Sequence, residues 1–149
     1  MGVSNMKSCF FIGHRDTPEE ILPLLIQTIE KHISEYGVTG FVVGAYGSFD
    51  RLAAQAVISL KQHYPQITLS LLLPYHPAER PTETPPGFDN TFYPPGMERV
   101  PRRLAIVCAN RYMVDHVDYL IAYAWHPASN ARDLVAYAEK HGIRITNLK

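Results

Sequence analysis

The stretch Phe10-Phe11-Ile12-Gly13-His14-Arg15-Asp16-Thr17-Pro18-Glu19-Glu20 decides how the chain reads. With Cys9 ahead of it, the apolar run to Gly13 has the length and composition of a short buried strand. Thr17-Pro18-Glu19-Glu20 has the form of a capping box, with Thr at the N-cap, Pro at the first helical position and Glu three residues on. Ile21, Leu22, Leu25, Ile29, Ile33 and Tyr36 then recur on one helical face, and Gly37 ends it. Strand, glycine turn and helix follow one another without a spare residue. On this reading the helix begins directly after His14-Arg15.

Working outward, the same order recurs. Gly40-Phe41-Val42-Val43-Gly44 is a second apolar run, followed by the turn Ala45 to Asp50 and a helical face of Phe49, Leu52, Ala53, Ala56, Val57 and Leu60. Ile67 to Leu73 reads as a third strand and Tyr119 to Tyr123 as a fourth. A helix from about Asn130 to His141 stops at Gly142, and Ile143 to Thr146 forms a last strand. These strands are near-continuous apolar runs rather than apolar/polar alternations. That pattern belongs to a parallel sheet covered on both faces. The expectation is one α/β domain over residues 1–149, built on a doubly wound, mostly parallel, five-stranded sheet with helices on both faces. Between Pro74 and Pro101 lie eight of the twelve prolines, with Tyr75, Phe88, Phe92 and Tyr93 among them. A segment this long in a compact domain calls for an ordered flap after the third strand, leading into a helix from about Glu98 through Met113.

Composition narrows the function. The 149 residues suffice for one real core, and 46% hydrophobic with 19% charged residues is ordinary for a globular protein. Fourteen basic residues balance fourteen acidic ones, which disfavours a non-specific nucleic-acid binder. No apolar run spans a bilayer, and Met1 to Lys7 does not have the form of a signal peptide. Cys9 and Cys108 sit in apolar settings, as buried free thiols of a reducing compartment do. The expected location is the cytoplasm, with no membrane partner. The seven histidines are scattered, so no metal site and no cofactor is expected.

In an open parallel sheet, ligands bind beyond the carboxyl ends of the strands, where strand order reverses. Three turns there carry chemistry. Gly13-His14-Arg15-Asp16 precedes a helix start whose dipole favours an anion, and Arg15 would add a charge-assisted contact. The same residues spell the protein-kinase catalytic triplet, but Ile21 stands where that motif needs Asn. Gly44-Ala45-Tyr46-Gly47-Ser48-Phe49-Asp50-Arg51 offers two glycines and a Ser at a helix start, a small phosphate cradle lacking the Gly-Lys-Ser/Thr of a Walker loop. In Trp125 to Asp133, Ser129 or Asn130 caps the last helix. Arg132 in its first turn opposes the dipole, a misfit that an anion or Asp133 would repair.

These turns carry a family resemblance. Cys9 to Asp16, Val43 to Leu52, Leu60-Lys61, Tyr64-Pro65, Pro95 to Pro101 and Asn110 to Met113 follow one another in an order that resembles the SLOG superfamily, the Rossmann-like group that includes the DprA-like and "Lonely Guy" proteins. Within it the chain looks like the YpsA-like branch of small bacterial proteins. The resemblance implies a site for a nucleotide or nucleotide derivative and adds Asn110 to the expected ligand-binding residues. Two departures stand out. Pro127-Ala128-Ser129-Asn130-Ala131 replaces the family's glycine pair, and Ala109 replaces the Arg ahead of its Asn.

Three functions follow. The first is a sensor or regulatory module binding a nucleotide-like small molecule, with phosphate at the helix starts after Gly13 and Gly47 and Tyr75, Phe92 or Tyr93 stacking on the base. The second is a hydrolase of an N-glycosidic bond, with Asp16, Asp50 or Glu98 as its carboxylates. The third is a nucleic-acid or protein partner module, using Arg99, Arg102 and Arg103. A homo-oligomer is compatible with each.

Overall fold

The structure, a computed structural model, describes residues 6–149. Its elements run β1 (Lys7–Gly13), α1 (Leu22–Ser34), β2 (Val38–Val43), α2 (Ser48–Lys61), β3 (Thr68–Leu72), β4 (Asn90–Phe92), α3 (Ala105–His116), β5 (Tyr119–Tyr123), α4 (Asn130–Lys140) and β6 (Arg144–Asn147). The six strands form one sheet in the order β4-β3-β2-β1-β5-β6, and every neighbouring pair is parallel. The fold is therefore α/β and Rossmann-like, with one strand more than the five read from the sequence.

The pleat sends alternate residues to opposite faces. Cys9 and Phe11 enter a core with Leu25, Ile29 and Ile33 of α1 and Phe49, Leu52, Ala56 and Val57 of α2. Phe10 enters the other, with Ala109, Met113 and Val114 of α3 and Leu134, Val135 and Ala138 of α4. β5 is buried along its whole length and feeds both, Tyr119 and Ile121 on one side and Leu120 and Ala122 on the other. Helices thus cover both faces, as the continuous apolar runs require. No helix among the described residues is long and apolar enough to cross a membrane.

The sixth strand, β4, lies inside the proline-rich segment. Asp89 places it. Its backbone N–H donates to Leu69 O at 2.8 Å, and its carboxylate accepts from Leu69 N–H at 2.8 Å and from Lys61 Nζ at 2.7 Å. One side chain thereby sets the β3–β4 register that pairs Ser70 with Asn90. Three residues between a loop and Tyr-Pro-Pro carry too little periodicity to announce a strand. The helix expected from about Glu98 starts instead at Ala105. Two single-turn 3₁₀ helices, Met97–Arg99 and Arg102–Leu104, precede it, separated at Pro101, which disfavours helical dihedrals in the residue before it.

The Lys61 ammonium first of all, with the Leu69 N–H, holds the Asp89 carboxyl below its ordinary range. A depressed carboxyl stabilises the fold above its unfolded pKa and loses that contribution as pH falls through the folded value. Asp89→Ala is expected to cost about 1 kcal/mol at neutral pH, the pair being partly exposed, and nothing in acid. Urea melts of both proteins at the two pH values check this.

Candidate functional site

The sheet order reverses between β1 and β5: the chain winds outward from β1 through β2, β3 and β4, then returns to place β5 on the other side of β1. A cavity of about 660 Å³ opens at the carboxyl ends of these strands, within the usual range for a small-molecule pocket. Phe10, Ile12, Leu72, Ile106, Ala109 and Ala131 give it an apolar side. Its polar side is made by the turns after β1, β2 and β5.

His14 builds the first wall. Its backbone N–H donates to Tyr123 O at 3.2 Å, extending the β1–β5 ladder by one residue. Its ring turns to β5, where Nε2 accepts from the backbone N–H groups of Trp125 and His126, both at 3.1 Å. A nitrogen accepting two N–H bonds carries no proton, so the proton of the neutral ring is on Nδ1. Burial lowers the imidazole pKa, with Asp16 acting in the opposite sense. His14 is therefore a neutral ring whose one free polar atom is an N–H donor.

The capping box expected at Thr17 does not form. Thr17 Oγ1 donates to His14 O at 2.6 Å, and Thr17 N–H donates to the same oxygen at 3.2 Å. The hydroxyl closes the turn instead of accepting from a helix N–H. A 3₁₀ turn, Glu19–Ile21, follows, and α1 begins only at Leu22. Its N-terminus is thus not at Arg15, and the anion site expected there has no helix behind it. Arg15 itself is exposed and lines the cavity mouth with Asp16, and its side chain has no ion pair or hydrogen bond among the described residues.

The second turn is shaped by the first. Gly47 has φ +127°, and a Cβ there would lie 2.5 Å from Arg15 Cα. Ser48 donates through both N–H and Oγ to Arg15 O, each at 2.9 Å. So Gly47 and Ser48 dock the α2 start onto the β1 turn and do not line the cavity. Phe49 does not line it either: it is core, stacked on Tyr123 at 6.4 Å. A Cβ on Gly13 would meet the Phe49 ring at 2.2 Å, so Gly13 serves helix–strand packing as well as the cavity. Arg51 pairs with Glu19 at 3.3 Å on the surface. Within the phosphate cradle expected from Gly44 to Arg51, Gly47 and Ser48 thus form a docking joint with the β1 turn.

Gly44 and Asp50 do line the cavity. Asp50 Oδ2 accepts from Tyr46 N–H at 3.0 Å, in space left by the missing Gly44 side chain. Oδ1 has no protein partner among the described residues. Burial pushes the Asp50 carboxyl up to about 6, the Tyr46 N–H pulling it down less.

The third wall is the start of α4. Ser129 is its N-cap and accepts from Arg132 N–H at 3.1 Å, as expected for one of the two residues named. The N–H groups of Asn130 and Ala131 are left without an intrahelical acceptor, and both residues line the cavity with Ser129. Arg132 does not line it. Asn110, from α3, does. Sequence reasoning missed Tyr46, Trp125 and His126, which line the cavity. Their position directly after strand ends was the available signal. Tyr75, Phe92 and Tyr93 lie elsewhere: Tyr75 under Arg80 at 4.2 Å, Phe92 against Tyr112 and Tyr93 against His76. Among the described residues no group of His, Cys, Asp and Glu is arranged to hold a metal ion.

Two substitutions check this geometry. Gly47→Ala is expected to cost about 2 kcal/mol or more, because strain at positive φ and a backbone clash act together. Asp50→Asn is expected to stabilise the protein at alkaline pH, by up to about 2 kcal/mol. A raised carboxyl favours the fold below its unfolded pKa and loses that advantage as pH rises through about 6, so the gain vanishes near pH about 4. Denaturant titrations read both.

Compared with known proteins, the chain matches no family model and no curated protein.

Proposed function

We propose that the cavity binds a nucleotide or nucleotide-derived small molecule through an anionic group, as a sensing or regulatory module. The observation that carries this is the coincidence, at one strand-order reversal, of an exposed unpaired Arg15 with the open N-terminus of α4. A helix start with free N–H groups and a guanidinium without an internal carboxylate partner are complementary to phosphate. His14 adds a neutral N–H donor. The apolar side under α3 and α4 accommodates a base or other flat body, and Tyr46 and Trp125, both exposed at the cavity, supply aromatic faces. The order of motifs that resembles the SLOG superfamily supports the same ligand class.

The N-glycosidic hydrolase is the second reading, favoured by one observation. Asp50, held near pH 6 and facing the cavity, is poised as an acid near neutral pH. Asp16 lines the same cavity, whereas Glu98 lies on the 3₁₀ turn Met97–Arg99 and does not line it.

A thermal-shift screen with AMP, ADP, ADP-ribose, NAD, cyclic nucleotides and short single-stranded DNA tests the binding reading. A ligand at 100 times its Kd adds about 2.7 kcal/mol, which moves the midpoint by several degrees. Arg15→Ala is expected to weaken the responding ligand about tenfold or more, the loss of a charge-assisted contact, without unfolding the protein. A folded Arg15→Ala protein with unchanged affinity contradicts the assignment.

A further inference from the structure

We propose that the cavity takes up its anionic ligand together with one proton, and that the proton is held on Asp50; this rests on the anion-binding function above. The geometry is that of a carboxyl group with one internal partner facing an anion site. Asp50 lines the same cavity, about 660 Å³, as Arg15, Ser129, Asn130 and Ala131. Only the Tyr46 N–H supports the carboxylate, and Oδ1 is free of protein partners. Neither arginine of these turns pairs with it: Arg51 is engaged with Glu19, and the Arg15 side chain makes no ion pair or hydrogen bond among the described residues.

An ionised Asp50 therefore opposes an incoming anion, and the anion in turn raises the Asp50 pKa. Burial has already brought that group close to neutrality before any ligand enters. Protonation removes the repulsion and turns the free carboxyl oxygen into a potential hydrogen-bond donor.

The other titratable groups around the cavity are less suited to carry the proton. His14 Nε2 is occupied by two backbone N–H groups, and burial disfavours its charged form. His126 Nδ1 accepts from Ala128 N–H at 3.3 Å. Asp16 is exposed, so water solvates its charge. Arg15 keeps its charge at all relevant pH. Tyr46 is raised by burial and by Tyr75, against the pull of Arg80, and stays neutral. α3 and α4 present the uncharged Asn110, Ser129 and Asn130.

The test uses two anions of constant charge between about pH 5 and 8, sulfate and ADP-ribose, so that titration of a phosphate monoester does not intrude. Calorimetry in two buffers of different ionisation enthalpy counts protons taken up on binding. The unsubstituted protein is expected to take up close to one proton per ligand near neutral pH. Its affinity should rise by up to about tenfold per unit as pH falls toward the Asp50 pKa. Asp50→Asn should bind with no uptake, with a flat pH profile, and as tightly as the unsubstituted protein does in mild acid. A carboxyl-carbon NMR titration of Asp50 in the unsubstituted protein, with and without ADP-ribose, reads the same shift without relying on the variant.

Binding without proton uptake, or uptake that persists in Asp50→Asn, overturns the proposal and leaves the anion-binding function standing. Absence of binding by both anions and by the whole nucleotide panel at every pH overturns the two together.

Discussion

His14 ties together the two strands between which the sheet changes direction. Its backbone continues the β1–β5 ladder to Tyr123, and its ring accepts the N–H groups of Trp125 and His126 just beyond the end of β5. Those N–H groups leave the sheet with no strand partner, and the ring nitrogen supplies their acceptor. With the ring in place, the chain after β5 can splay away from β1 and open the crevice without orphaning its backbone. The switch-point cavity is thus a consequence of satisfying backbone groups at the place where parallel order reverses.

The second consequence is electrostatic. Because the turn after β1 is closed by Thr17 and covered by Gly47 and Ser48, the α1 start and the first N–H of α2 are withdrawn from the cavity. The α1 start lies beyond a 3₁₀ turn, and the α2 start spends its first N–H on Arg15 O. The α4 start keeps the N–H groups of Asn130 and Ala131 without an intrahelical acceptor beside the cavity. The same docking holds the Arg15 backbone, while its side chain has no ion pair or hydrogen bond among the described residues. Asp50, partly buried and lining the same cavity, supplies the opposing charge. The cavity thus combines an exposed guanidinium and an open helix start with a carboxyl group whose pKa burial raises to about 6.

Much of the fold was legible because burial on both faces writes itself into composition. Phe10-Phe11, Val42-Val43 and Leu120-Ile121 are continuous apolar runs, and each proved to divide its residues between two cores. The helix α1 was visible in its apolar spacing and glycine stop, α2 in its apolar spacing and α4 in its glycine stop. The edge strand β4 was not, since its position depends on Asp89 reaching Leu69 and Lys61, contacts between residues about twenty or more apart in sequence. At the site, Gly13 to Asp16, Gly44, Asp50, Asn110, Ser129 and Asn130 come together, as placement after strand ends suggested. Gly47 to Phe49, Arg51 and Arg132 do not. A Gly-x-x-Gly turn followed by Ser looks the same whether its backbone wraps a phosphate or another turn, and only the approach of Arg15 separates the two. The Thr17 box failed for a related reason: a hydroxyl that can cap a helix can equally donate to a carbonyl three residues back.

The most direct test is a residue-resolved one: backbone amide NMR of the isotope-labelled protein, titrated with ADP-ribose. The account predicts shift changes concentrated at Gly13 to Asp16, at Gly44 and Tyr46, and above all at Asn130 and Ala131, whose N–H groups are open to an anion. Changes that map instead to the flap around Tyr75 or to the exposed face of α3, with the switch-point amides still, would contradict it.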